Sequence, residues 1–328
     1  MRLKIFFASL FLSLPLWWGM DIFSQKLEDF WFWKEMTENP QILSAQINQQ
    51  ILEKELKMLK SARVSPPEDL EIRARAAISV EINNKGNEKI LFEKNSQQPL
   101  PIASLTKLMT ALVVFDLDET YNLSQPIKIS QKAVFQEGES KYADLVAGEF
   151  LSVESLLYIM LMESSNDAAY AITELIGQGA FVDLMNLYAK DLGLKNTYFA
   201  NSTGLDPDFL YQSINLSTAQ DLVKLAKYIL VEYPQIFGIT NNCYYEVLRP
   251  NGIFRHLISE NTNELLAEFP EIIGGKTGWS LVADGCLLLV LESPRKNNYF
   301  INVVLGSKDR FGEMRKLIEQ VDKIRQKQ

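Results

Sequence analysis

Strand-like segments stand at both ends of the regular part of this chain, with helix-like segments between them, and that order decides what it can fold into. Ala77 to Ile82 and Ile90 to Glu93 are short apolar runs on either side of Asn83, Asn84, Lys85, Gly86 and Asn87, which predicts a β-hairpin. Five segments then carry apolar residues at three- and four-residue steps. They are Ser104 to Asp116, Val153 to Met162, Asp167 to Ile176, Phe181 to Leu192 and Thr218 to Val231, the last with Ser217 placed as its N-cap. Strands return at Ile272 to Lys276, Cys286 to Leu291 and Tyr299 to Leu305, and Gly312 to Lys327 reads as a closing amphipathic helix. One sheet built from such distant segments has to enclose an inserted helical subdomain. The expected fold class is α+β, an antiparallel sheet flanked by helices. With 328 residues, 47% of them hydrophobic, the chain is long enough for a sizeable core.

The N-terminus follows a different pattern. Arg2 and Lys4 precede an apolar run from Ile5 to Met20, the charged-then-apolar order of an export signal. No pair of small residues marks a cleavage point around Trp17, Trp18, Gly19 and Met20, which favours an uncleaved anchor over a cleaved signal. Positive charge before the run keeps that end inside and sends the remainder outward. From Gln41 to Lys60, Leu43, Ile47, Ile51, Leu52, Leu56 and Leu59 recur at helical steps, and Ser65, Pro66 and Pro67 stop the pattern. The expected division is a signal anchor or signal peptide over 1–25, a helical stalk and linker over 26–67, and a catalytic domain over 68–328.

A formal net charge of -8 disfavours a nucleic-acid partner, because phosphate binding needs clustered Lys and Arg. The single histidine, His256, excludes a multi-His zinc site and reads, with Arg255 beside it, as a packing or surface residue. Cys243 and Cys286 form neither a disulfide framework nor a CxxC pair, and Cys286 reads as a small buried apolar residue in a strand. No metal and no cofactor is expected.

Three short motifs carry the chemistry. Ser104-Leu105-Thr106-Lys107 opens an apolar helix, so its serine and lysine lie about one turn apart on one face. A neutral amine within hydrogen-bond reach can take the proton of a serine hydroxyl and make it a nucleophile without any histidine. Lysine is normally protonated, so burial and a second cation have to lower its pKa, and Lys276 is the candidate neighbour. Ser164-Ser165-Asn166 falls between two helical patterns. There Ser164 can relay a proton to a leaving group and Asn166 can hold Lys107 and a substrate amide, or both can cap the next helix. Lys276-Thr277-Gly278 ends a strand-like run, where a glycine lets an extended ligand lie along the edge. Lys276 and Thr277 offer a cation and a hydroxyl to a carboxylate, while the backbone N–H groups of Ser104 and Trp279 are candidate oxyanion donors.

In that order along the chain, these motifs make the sequence resemble the serine-type D-alanyl-D-alanine carboxypeptidases, the low-molecular-mass penicillin-binding proteins. The likeness runs from about Ala76 to Ile318 and includes Phe92 to Asn95, Pro101 to Thr110, Asn201 to Asp206, Ser217 to Ala219 and Asn261-Thr262-Asn263. It implies a penicillin-binding or serine β-lactamase-like fold, Ser104 as the acylated nucleophile, Lys107 as its base, and Ser164, Asn166, Lys276 and Thr277 completing the site. It also implies Arg310 as an aid in binding a terminal carboxylate. The implied substrate is a peptidoglycan stem peptide, the implied covalent inhibitors are β-lactam antibiotics, and the implied place is the extracytoplasmic face of the bacterial cell membrane. By the same likeness the chain is expected to lack the β-rich C-terminal domain and C-terminal anchor of many relatives, leaving the N-terminal segment as its attachment to the cytoplasmic membrane. Two residues depart from the pattern: Ser165 where glycine is frequent, and Asp284 where a small residue is usual. A D,D-endopeptidase uses the same residues. A class A β-lactamase is disfavoured by the absence of an S-D-N aspartate and of an E-x-x-L-N segment between the second and third motifs. A silent wall-binding protein is disfavoured because every residue the chemistry requires is present.

Overall fold

The structure, a computed structural model, describes residues 70–326 except 84, 137–144 and 208–212. The anchor or signal expected over 1–25 and the stalk over 26–67 lie outside the described residues.

The hairpin forms as expected, from β1 (Ala76–Ile82) and β2 (Glu88–Lys94). The late strands are β9 (Ile272–Ser280), β10 (Asp284–Glu292) and β11 (Tyr299–Ser307). They join it in one antiparallel five-stranded sheet of order β2-β1-β11-β10-β9, so first and last strands of the chain meet at its centre. Both faces of this sheet are covered, which is why its strands read as nearly unbroken apolar runs. Ala76, Ile78, Val80, Leu288, Val290, Ile301 and Val303 point to one core. Ala77, Leu287, Leu289, Phe300 and Val304 point to a second core, which is closed by Met314, Leu317 and Ile318 of the last helix (Arg310–Gln326).

The inserted part carries α1 (Thr106–Asp116), α2 (Val153–Met162), α3 (Asn166–Thr173), α4 (Gln178–Asp191), α5 (Ala219–Glu232) and α6 (Pro234–Thr240), making the closing helix α7. α1 is buried on every face over its first nine residues, so it works as the central rod of the subdomain. Its C-terminal residue Asp116 accepts hydrogen bonds from the hydroxyls of Tyr188 and Tyr233, tying α4 and the α5–α6 junction to it.

Several expectations need correction. The N-cap of α5 is Thr218, whose hydroxyl accepts from Asp221 N at 3.0 Å, and not Ser217, which sits in β6 (Leu216–Ser217) against β3 (Leu100–Pro101). α3 ends at Thr173, short of Ile176, because Gly177 at φ 90° turns the chain into α4. Several short elements escaped the periodicity reading. α6 starts directly after the end of α5, with Pro234 in its first turn, and the ribbons β4–β5 (Pro126–Lys128, Phe150–Ser152) and β7–β8 (Tyr245–Leu248, Phe254–Ile258) are too short for alternation to register.

Candidate active site

The site lies where the start of α1, the α2–α3 turn and the edge strand β9 meet. Ala103 to Leu105 form a 3-10 turn that runs into α1, so Ser104 stands on the turn leading into the helix and Lys107 on its first turn proper. Lys107 Nζ lies 2.9 Å from Ser104 Oγ, as the i,i+3 spacing requires. Nζ also donates to Asn166 Oδ1 at 2.6 Å and to the Thr203 carbonyl at 2.7 Å. A neutral amine has two N–H donors and one lone pair, so an uncharged Lys107 that keeps those two bonds would turn its lone pair to the Ser104 hydroxyl. The lysine side chain is fully buried, so this arrangement is not shared with bulk water.

Two glycines make the closeness possible. Gly204 has φ 87°, and a Cβ there would sit 2.1 Å from the Ala103 carbonyl oxygen. A Cβ on Gly278 would come within 3.1 Å of Ser104 N, so the K-T-G strand lies directly against the backbone of Ser104. Ala103 (φ 45°) and Ser164 (φ 65°) adopt left-handed backbone without being glycine, at a cost of order 1 kcal/mol each, strain of the kind that clusters at functional sites.

Asn166 is the first residue of α3, and its side chain reaches Lys107. The cap of α3 is Ser165, whose hydroxyl accepts from Ala168 N at 3.2 Å, and neither Ser164 nor Asn166 has that role. The serine that replaces a frequent glycine thus pins the turn that presents Asn166. Ser164 stands in the α2–α3 turn, half-buried.

The K-T-G motif does not end a strand. β9 continues through Trp279 to Ser280, because Gly278, Trp279 and Ser280 pair with Cys286, Gly285 and Asp284 of β10. As the last strand of the sheet, β9 keeps one edge unpaired among the described residues, the geometry an extended ligand needs. Arg310, opening α7, donates from Nη1 to the Gly278 carbonyl at 2.8 Å, so it reaches the motif as expected. Trp279 is 61% exposed and faces a shallow hollow of about 230 Å³ that it shares with Arg310 and Phe311. Asp284, at φ 56°, pairs with Lys308 at 2.6 Å on the outer end of the β9–β10 hairpin. His256 lies between Arg255 (2.7 Å from Nδ1) and Glu163 (3.8 Å from Nε2), a packing position as read from the sequence; Cys286 is fully buried.

The charge coupling is seen at the second amine. Burial, and then the charges of Lys107 and Arg310, hold Lys276 well below the usual lysine range. Lys276 Nζ donates to the Thr277 carbonyl at 3.1 Å. Over the pH interval between that lowered value and its value in the unfolded chain, the unfolded chain binds more protons, so this group makes stability rise with pH. Lys276→Met is expected to flatten the dependence of melting temperature on pH over that interval, below the ordinary lysine value of about 10.4. Comparing the two proteins cancels the opposite contribution of Cys286, whose thiol burial pushes up to about 11. Thermal melts across that interval check this, and equal slopes would contradict it.

Two contributors were not foreseen. The Thr203 carbonyl has no side-chain signature; Thr203 is held by Asn201, whose Oδ1 accepts from Thr203 N at 3.2 Å and from Thr203 Oγ1 at 3.1 Å. The other is Thr262, quoted above within Asn261-Thr262-Asn263 but given no role. Its hydroxyl accepts from Thr277 Oγ1 at 2.7 Å.

Comparison with known proteins identifies the family. The family described as D-alanyl-D-alanine carboxypeptidase matches residues 60–309. D-alanyl-D-alanine carboxypeptidase DacF of Bacillus subtilis is 33% identical over 258 residues, covering 76% of this chain and 62% of that protein. A D-alanyl-D-alanine endopeptidase of Pseudomonas aeruginosa is also 33% identical, over 65% of this chain and 66% of its own. The chain therefore spans just under two thirds of the length of these two relatives. Among solved structures, D-alanyl-D-alanine carboxypeptidase DacD from Francisella tularensis superposes with a TM-score of 0.67 at 27% identity, covering 78% of this chain and 72% of the other. Penicillin-binding protein D2 from Listeria monocytogenes, in its ampicillin-bound form, superposes with a TM-score of 0.63 at 28% identity, over 77% of this chain and 99% of its own.

Proposed function

Because this chain belongs to the D-alanyl-D-alanine carboxypeptidase family, we propose that it is a serine D,D-peptidase that removes terminal D-alanine from peptidoglycan stem peptides through an acyl-enzyme on Ser104. The observation that carries this reading is the Lys107 amine, 2.9 Å from Ser104 Oγ and bonded to Asn166 Oδ1 and the Thr203 carbonyl. Ser104 Oγ forms a bond to the penultimate D-alanine carbonyl carbon and gives its proton to Lys107. The oxyanion is stabilised by backbone N–H donors at the entry to α1 and on β9, the roles assigned to Ser104 and Trp279. When the C–N bond breaks, the leaving amine takes up a proton, relayed through Ser164, and D-alanine departs. Water then attacks the ester, and its proton passes back through the same amine as Ser104 is released.

Lys276, Thr277 and Arg310 are assigned to the terminal carboxylate, and Asn166 to the substrate amide as well as to Lys107. Penicillin is expected to acylate Ser104 in the same way, in keeping with the β-lactam-bound form of the Listeria relative. The apolar run Ile5 to Met20 is proposed to hold the enzyme on the extracytoplasmic face of the cytoplasmic membrane; no helix among the described residues is long and apolar enough to cross a membrane.

A D,D-endopeptidase reading is favoured by one observation, a relative of that name at the same 33% identity. Chromatography of muropeptides after digestion separates the two. Release of D-alanine from pentapeptide stems supports the carboxypeptidase, loss of cross-linked dimers without it supports the endopeptidase, and no change in either refutes both.

A further inference from the structure

We propose that Thr262 is a positioning residue for this site: its hydroxyl, 2.7 Å from that of Thr277, governs how Thr277 presents its single proton to a substrate carboxylate. This rests on the reading of Thr277 as a carboxylate contact. Thr262 is held from both sides. Its backbone N–H donates to the carbonyl of Met162, the last residue of α2, at 3.1 Å. Before it, Asn261 Nδ2 donates to the carbonyls of Thr240 and Asn242 at 3.0 and 2.9 Å; after it, Asn263 Oδ1 accepts from Leu265 N at 3.2 Å. The hydroxyl therefore joins β9 to the end of α2, the helix that leads into the Ser164 turn.

In this arrangement Thr277 spends its proton on Thr262. A carboxylate is the stronger acceptor, since hydrogen bonds to an ionised oxygen are roughly twice as strong as neutral ones. On its arrival Thr277 turns its proton to the carboxylate, and Thr262 reverses and donates to Thr277 Oγ1. Both hydroxyls rotate without movement of any heavy atom. The resulting chain, Thr262 to Thr277 to carboxylate, polarises the donor that faces the ligand and fixes its rotamer. A substrate whose chain continues as an amide offers a weaker acceptor and gains less. The pair thus helps set the preference for a free chain end.

The test compares a short peptide ending in D-Ala-D-Ala with the same peptide as its C-terminal amide, on the full chain. Thr262→Val keeps the backbone bond and the shape. It is expected to raise KM for the free acid about fivefold, the worth of one ordinary hydrogen bond, with kcat within about twofold and kcat/KM for the amide within about twofold. Thr262→Ser is expected to restore the acid's KM, and Thr262→Val to add nothing in a Thr277→Val background. Equal losses on both peptides, an unchanged KM for the acid, or an undiminished effect without Thr277 would each overturn the proposal. If Thr262→Val does not reach the wild-type stoichiometry of penicillin labelling, Thr262→Ala carries the same comparison. Should Thr277→Val itself leave the acid-to-amide ratio unchanged, the carboxylate reading of the site has failed, an outcome distinct from failure of Thr262 alone.

Discussion

Ser104→Ala is expected to lower kcat/KM by at least about 10⁴-fold and to abolish covalent labelling by penicillin, measured as the mass of the intact protein after exposure. The size follows from what is deleted. The substitution leaves Lys107 bonded to Asn166 and Thr203 and leaves β9 against the entry to α1, so binding and the oxyanion donors stay while the bond-forming atom goes. Melting temperature is expected to change little, because the lost contact is one hydrogen bond of about 1 kcal/mol at a half-buried residue. An adduct of unchanged mass and stoichiometry on the alanine protein would remove Ser104 from the chemistry.

Lys107→Met and Lys107→Arg form the second test, with an expected loss of about 10³-fold or more in each. Methionine keeps approximate length but has no base, and it leaves Asn166 Oδ1 and the Thr203 carbonyl without this donor. Arginine keeps charge and donors but does not lose its proton in a protein, so a purely structural or electrostatic role would survive in it and a general-base role would not. In the wild type, kcat/KM is expected to rise with pH on the acid side as the Lys107–Lys276 pair sheds a proton. That step belongs to the pair, since the two ammonium groups repel each other within one buried cleft. A Lys107→Arg enzyme within tenfold of wild type would exclude the amine as the base.

How much of this was legible in the chain depended on sequence distance. Ser104 and Lys107 were readable because three residues of helix place two side chains on one face whatever surrounds them. The order of strands and helices was readable for the same reason, as apolar periodicity reports a local backbone state. Residues whose conformation is settled by a partner were misread or missed. Trp279 and Ser280 belong to β9 because β10 pairs with them, and their own composition gives no sign of it. Thr218 displaced Ser217 as a cap because Ser217 is occupied in the ribbon with β3.

What the amino-acid order determined by itself was the class of fold, the placing of Ser104 beside Lys107 and the family to which the motifs point. Tertiary structure alone decided how burial lowers Lys276 and how the proton of Thr277 is aimed. It also brought Thr203, a residue without a chemical signature, to supply a carbonyl to Lys107. The reason is physical: the helical pair needs only backbone geometry, whereas desolvation and hydrogen-bond direction depend on distant segments brought together by packing, as Lys107 and Thr203 are across 96 residues.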